Sequence, residues 1–126
     1  MKKLLIVITI TFLSVSFGFA QEQDSYKTVA STFQKYFNNG DVEGIYNMFD
    51  ENFKQVLTLE KTKAYFNDHI NMDALGKIKS IVYKDTVRTA HNYTVTFENG
   101  VYNAFFMLGD GNKLQSFQMD QITNKQ

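Results

Sequence analysis

The stretch HNYTVTFENGVYNAFFML, residues 91–108, decides the fold of this chain. Aromatic and β-branched residues alternate with polar ones before Asn99-Gly100, which is the period-two pattern of a half-buried strand. Asn99-Gly100 itself predicts a two-residue type I′ turn, because both residues tolerate positive φ. Val101–Leu108 then continues as a second strand, so the stretch predicts a β-hairpin.

Two more strands extend this hairpin into a four-stranded antiparallel sheet. The predicted strands are Ile78–Lys84, His91–Glu98, Val101–Leu108 and Lys113–Met119, with a second turn at Gly109–Asn112. The hairpin register sets Phe97 opposite Tyr102 and Tyr93 opposite Phe106. The face expected to meet the helices holds Tyr93, Val95, Phe97, Tyr102, Ala104, Phe106, Phe117 and Met119.

Upstream of the sheet the chain has the spacing of amphipathic helices. Apolar residues recur every three or four positions over Asp24–Asn38, and Asn38-Asn39-Gly40 marks a helix stop. Asp41 suits the N-cap of a short second helix, and Thr58 that of a third helix reaching about Met72.

The segment between the second and third helices, Asp50–Thr58, is expected to be a connection held by Phe53, Val56 and Leu57. Three helices followed by a four-stranded meander predict an α+β domain, with the helices packed in the hollow of a curved sheet.

Residues 1–20 differ from the rest of the chain. Lys2 and Lys3 precede an uncharged, largely apolar run that ends in Gly18-Phe19-Ala20. This pattern predicts a signal peptide cleaved after Ala20, leaving one domain at 21–126 in the periplasm or outside the cell. The alternative is an uncleaved anchor, but the run is shorter than the ~20 apolar residues of a spanning helix.

Charge and cysteine content narrow the possible functions. Two of the 13 basic residues lie in the leader, so residues 21–126 carry 11 basic and 13 acidic residues, a net charge of −2. This balance argues against nucleic-acid binding and against a membrane-surface patch after cleavage. The chain has no cysteine, so a packed core must hold an exported domain without disulfides. No motif points to a cofactor.

Several local motifs resemble one known superfamily. These are FNNGD (37–41), MFDENF (48–53), GKI (76–78), YTVTFENG (93–100) and DGNKL (110–114). They resemble the nuclear transport factor 2-like superfamily of cone-shaped, cystatin-like α+β domains. More narrowly they resemble a bacterial exported family of unknown function, often found ahead of serine hydrolase domains of the penicillin-binding type. Because no Ser-x-x-Lys nucleophile motif is present, the resemblance implies an accessory or binding role.

One set of residues could form an acid–base pocket. His91 has the strand parity of Tyr93 and is expected to face into the cone, where Tyr36 and Tyr65 could join it. The alternative is a strand-edge histidine beside core tyrosines, since no acidic partner is evident. His69 and Asp73 have helical spacing but lack a third ligand for a metal.

The other sheet face offers a contact surface. Phe105, Met107 and Leu114 are expected to be neighbours there, and such exposed apolar clusters often mark protein contacts. The leading hypothesis is therefore a non-enzymatic exported module that binds a small apolar ligand in the cone, or a protein partner on this face. A homodimer would need one self-complementary patch. The rivals are a small enzyme using His91 and a tyrosine, and a detached partner of a separate hydrolase.

Overall fold

A computed structural model of the chain describes residues 22–122. Its helices are α1 Asp24–Asn38, α2 Val42–Tyr46, α3 Glu51–Val56, α4 Leu59–Ala64, a π-helical turn at Tyr65–Ile70, and α5 Met72–Leu75. Its strands are β1 Ile78–Val87, β2 Ala90–Phe97, β3 Gly100–Leu108 and β4 Leu114–Gln121. They form one antiparallel sheet in the order β1-β2-β3-β4, which confirms the predicted α+β architecture.

The predicted leader at residues 1–20 and the last four residues lie outside the described part of the chain. Within residues 22–122, no helix is both long and apolar enough to span a bilayer.

Helix α1 supplies one wall of the core. Its buried side chains recur with the expected helical spacing and end close to the predicted stop at Asn39. They are Tyr26, Val29, Ala30, Phe33 and Phe37. The sheet supplies the opposite wall with alternate residues of β2 and β3, so the core lies between the helices and one sheet face.

Side-chain caps start the next three helices. The carboxylates of Asp41 and Asp50 accept hydrogen bonds from Gly44 N and Phe53 N, each at 2.8 Å. The Asp50 cap begins α3, so the expected connection after it is partly helical. Val56 is 69 % exposed and does not hold this segment to the core, contrary to expectation.

The third predicted helix is shorter than its sequence pattern suggests. Thr58 caps α4 as expected, with its hydroxyl accepting from Lys61 N at 3.4 Å. The helix then widens into the π turn and stops at Asn71, which has the left-handed φ of 64°. A residue at positive φ cannot continue a right-handed helix, so Met72 belongs to the separate short helix α5.

The central hairpin turns one residue earlier than predicted, which shifts the strand pairing by two residues. Phe97 pairs with Gly100 and Tyr93 with Ala104, which makes Glu98-Asn99 the loop. Asn99 N donates to Leu75 O at 2.9 Å and Glu98 N to Lys77 O at 3.0 Å, so the segment before β1 holds the loop in place. Gly100 has no positive φ; a Cβ there would lie 2.7 Å from Leu75 Cδ2. A two-residue shift preserves side-chain parity, so the predicted helix-facing residues are correct.

A β-bulge overturns the expected position of Leu114. The register shifts between Met107 and Leu108, and the extra residue in β4 reverses side-chain parity at the start of that strand. Leu114 is therefore fully buried and forms an isolated bridge with Phe49 on the helical side. It is not a neighbour of Phe105 and Met107 on the other face.

Side chains from the helical half pair with the backbone of one residue on each edge strand of the sheet. Asn38 Oδ1 accepts from Ile78 N at 2.7 Å, and its Nδ2 donates to Ile78 O at 3.1 Å, as a neighbouring strand would. On β4, the Tyr65 hydroxyl accepts from Met119 N at 3.1 Å and donates to Met119 O at 3.3 Å. The two edges therefore have backbone groups already satisfied by side chains, which limits strand addition there.

Candidate functional site

Phenylalanine rings fill the space between the helices and the sheet. The Phe33 ring centroid lies 5.3–6.2 Å from those of Phe37, Phe66, Phe106 and Phe117, and all five side chains are at most 7 % exposed. Separations of this size are direct ring contacts. The interior of the predicted cone is therefore packed where a small apolar ligand was considered.

The three predicted pocket residues lie in different places. The ring of His91 stacks on that of Tyr26, which is ten residues and about 15 Å of helix from Tyr36. Tyr65 lies at the edge of β4, two strand spacings or about 10 Å from β2. Tyr36 packs against Gly44 instead. The expected acid–base set of Tyr36, Tyr65 and His91 is therefore not assembled.

His91 is buried among tyrosines. It is 1 % exposed and its ring lies parallel to Tyr26 at a centroid distance of 3.6 Å, with Tyr83 at 5.2 Å and Tyr93 at 6.3 Å. Its Nδ1 has no hydrogen-bond partner among the described residues. Burial lowers the pKa of His91 below 6.5, and the Glu22 carboxylate opposes that shift. His91 is therefore a neutral imidazole that packs against the tyrosine rings.

Two tyrosine hydroxyls tie the same end of the sheet to the start of α1. Tyr26 Oη donates to Thr89 O and accepts from Leu108 N, each at 2.9 Å. Tyr93 Oη donates to Glu22 Oε2 at 2.8 Å. Burial raises the pKa of Tyr93, and the bond to Glu22 raises it further, so this phenol keeps its proton.

His69 and Asp73 do not share a helix face, contrary to expectation. The left-handed Asn71 separates them, and His69 stacks on Tyr65 at a centroid distance of 5.1 Å. Across residues 22–122, no group of three or more His, Cys, Asp or Glu side chains could hold a metal ion. Burial raises the pKa of Tyr65, whose hydroxyl is engaged with Met119.

The side of the sheet away from the helices, called here the outer sheet face, has no helix of residues 22–122 packed on it. Val82 is 57 % and Val101 37 % exposed, while Phe105 and Met107 are half-buried. Cross-strand pairs join Val82 to Thr94 and Phe105 to Asn92 on this face. Two of the three predicted contact residues, Phe105 and Met107, therefore lie where they were expected.

A polar ladder crosses the outer sheet face beside these apolar residues. Asn92 Nδ2 donates to Asp85 Oδ1 at 3.0 Å, and Asn103 Nδ2 donates to Asn92 Oδ1 at 3.3 Å. The side-chain oxygen of Asn103 is left without a partner among residues 22–122. The outward residues of β2 and β3 are uncharged, and carboxylates occur only on the outer strands at Asp85 and Asp120.

Comparison with known proteins gives one match. Residues 30–117 match a family model described as a protein of unknown function, DUF3887. The matched region is more than half of the chain. No curated protein and no solved structure matches the chain.

Proposed function

The chain belongs to the DUF3887 family of proteins of unknown function, and we propose that it is an exported, non-enzymatic accessory module that self-associates through its outer sheet face. The observation that carries this proposal is the phenylalanine-packed interior, which leaves the surface as the place for binding. The leader pattern at residues 1–20 supports export to the periplasm or beyond.

A second copy of the same chain is the partner that the charge pattern favours. In a two-fold interface, residues near the axis meet their own copies, so a charged residue there would face a like charge. The middle of the outer sheet face is uncharged, and its carboxylates lie at the periphery. Apolar Val82, Val101, Phe105 and Met107 supply area whose burial is favourable.

The area is sufficient for a modest dimer. Four strands at about 4.8 Å spacing and roughly 8 residues at about 3.3 Å give a face of roughly 500 Å². Two copies then bury roughly 1,000 Å², near the lower limit of a specific interface. We therefore expect a reversible dimer that dissociates on dilution.

We also propose that the domain belongs to the nuclear transport factor 2-like superfamily. Helices followed by an antiparallel meander match its element order, and three register irregularities in β1 and between β3 and β4 bend the sheet as a cone requires. Superposition of an experimental structure on that superfamily tests this assignment.

The test of the dimer is sedimentation equilibrium on the full chain expressed in a bacterial host. The mass of the purified protein first reports whether residues 1–20 have been removed. Phe105→Lys is expected to weaken the dimer at least about thirtyfold, because a central aromatic anchor is replaced by a charge that faces its own copy. Val56→Lys, on exposed α3 away from the face, is the matched control and is expected to leave the dimer unchanged. A monomeric wild type at high concentration would overturn the proposal.

A further inference from the structure

Away from the outer sheet face, six segments surround an open groove of about 680 Å³. It lies where the end of α1, the start of α2, the end of α4, the π turn, α5 with the residues after it, and the loop after β2 approach one another. Its volume is within the roughly 300–1,000 Å³ of small-ligand sites. Of the residues that line it, only Phe37 also takes part in the phenylalanine contacts of the interior.

The floor of the groove is apolar and its rim is charged. Phe37 and Val42 are buried, and Met72 is half-buried beside them. Four carboxylates stand on the rim, from three different segments, against the two ammonium groups of Lys63 and Lys77. The carboxylates are those of Asp41, Glu43, Asp73 and Glu98.

Two of these carboxylates have structural roles and two do not. Asp41 Oδ1 caps α2 through Gly44 N at 2.8 Å, and Glu98 Oε1 accepts from Lys77 N at 3.1 Å. Within residues 22–122, the ion pair between Lys54 and Glu51 involves none of the rim, and the side-chain carboxylates of Glu43 and Asp73 accept no hydrogen bond. The rim therefore has a net negative charge with uncommitted oxygens above an apolar floor.

We propose that this groove binds an alkyl-ammonium group, a methylene chain ending in an ammonium, such as a lysine side chain of a short peptide or a free diamine. The methylenes would lie on the half-buried Met72 while the ammonium meets Glu43 and Asp73. Charge-assisted hydrogen bonds to carboxylates are the stronger kind. This site goes beyond the dimer and does not depend on it, since no groove residue lies on the outer sheet face.

The experiment is a titration of the full, host-processed chain, followed by amide NMR. The probes are Ala-Lys-Ala, 1,5-diaminopentane, and Ala-norleucine-Ala, which keeps the methylenes and lacks the ammonium. Amides of Gly40, Asn67 and Asp73 are expected to shift with one or both ammonium probes and not with norleucine. A response to the peptide alone assigns the ligand as a peptide, and a response to the diamine alone assigns a free diamine.

The double variant Glu43→Gln/Asp73→Asn is expected to weaken binding at least about fivefold, and added salt is expected to weaken it further. Glu60→Gln/Asp68→Asn changes the net charge equally at exposed sites outside the groove and is the matched control. Equal shifts with the norleucine peptide, or no shift with either ammonium probe, would overturn the proposal. Phe105→Lys is expected to leave these shifts unchanged, which separates this result from the fate of the dimer.

Discussion

Replacing Asn38 by alanine tests the idea that one helix side chain acts as a missing neighbour strand. Its amide forms two hydrogen bonds to the backbone of Ile78, at 2.7 and 3.1 Å. The side chain of Ile78 is only 3 % exposed, so water has poor access to the groups that would be freed. Gln34 Nε2 also reaches Ile78 O at 3.3 Å and can keep that carbonyl partly satisfied.

The expected loss of stability follows from the difference between the N–H and the carbonyl of Ile78. The Ile78 N–H loses its partner, which costs about 1–3 kcal/mol, while the carbonyl keeps the bond from Gln34. We therefore expect Asn38→Ala to lower the free energy of unfolding by about 2 kcal/mol. For a urea m-value of about 1–2 kcal/mol/M, the unfolding midpoint should fall by about 1–2 M.

Urea unfolding followed by circular dichroism measures this change, and amide hydrogen exchange of Ile78 gives a local readout. Asn39→Ala is the matched control, because the neighbouring side chain is exposed and makes no hydrogen bond among residues 22–122. If both variants unfold at the same urea concentration, and the Ile78 amide exchanges no faster in Asn38→Ala, the strand-mimic interpretation is wrong.

Two further predictions concern stability. Because burial lowers the folded-state pKa of His91 below its unfolded value of 6.5, the unfolded chain binds more protons below that pH, and stability should fall on acidification. The urea midpoint should therefore be lower at about pH 5 than at about pH 7.5, and this difference should be smaller in His91→Phe than in the wild type. His69 is exposed, so the control variant His69→Gln should keep the wild-type difference. Gly76→Ala should destabilise more than Gly40→Ala, by about 1–3 kcal/mol in urea unfolding. Both have positive φ, but only at Gly76 would an added Cβ meet Glu98, whose own Cβ would lie 2.9 Å away; equal losses would contradict this.

The sequence predicted which side chains face the helices because that assignment depends on parity alone. Moving the turn from Asn99-Gly100 to Glu98-Asn99 shifts the pairing by two residues and leaves parity intact. The position of Leu114 could not be predicted in the same way. A single bulged residue in β4 reverses side-chain parity, and no local sequence pattern marks where the bulge occurs.

The candidate sites were harder to predict because they depend on how helices lie along the sheet. Burial of His91 follows from strand parity, but its stacking partner is Tyr26, and helical spacing cannot tell which tyrosine reaches it. The only available indication was that Tyr26 begins the apolar face of α1. The groove was missed altogether, since its carboxylates come from three segments that are far apart in the sequence.

The pairing of side chains from the helical half with one residue on each edge strand also sets an order of assembly during synthesis. Asn38 and Tyr65 leave the ribosome before their strand partners Ile78 and Met119, which are 40 and 54 residues further along the chain. The nascent helices therefore carry polar side chains whose hydrogen-bonding partners have not yet been synthesised. Because β4 contributes core residues up to Met119, the growing chain can complete its core only after Met119 has been made. A chain cut short before β4 should stay available to chaperones and proteases.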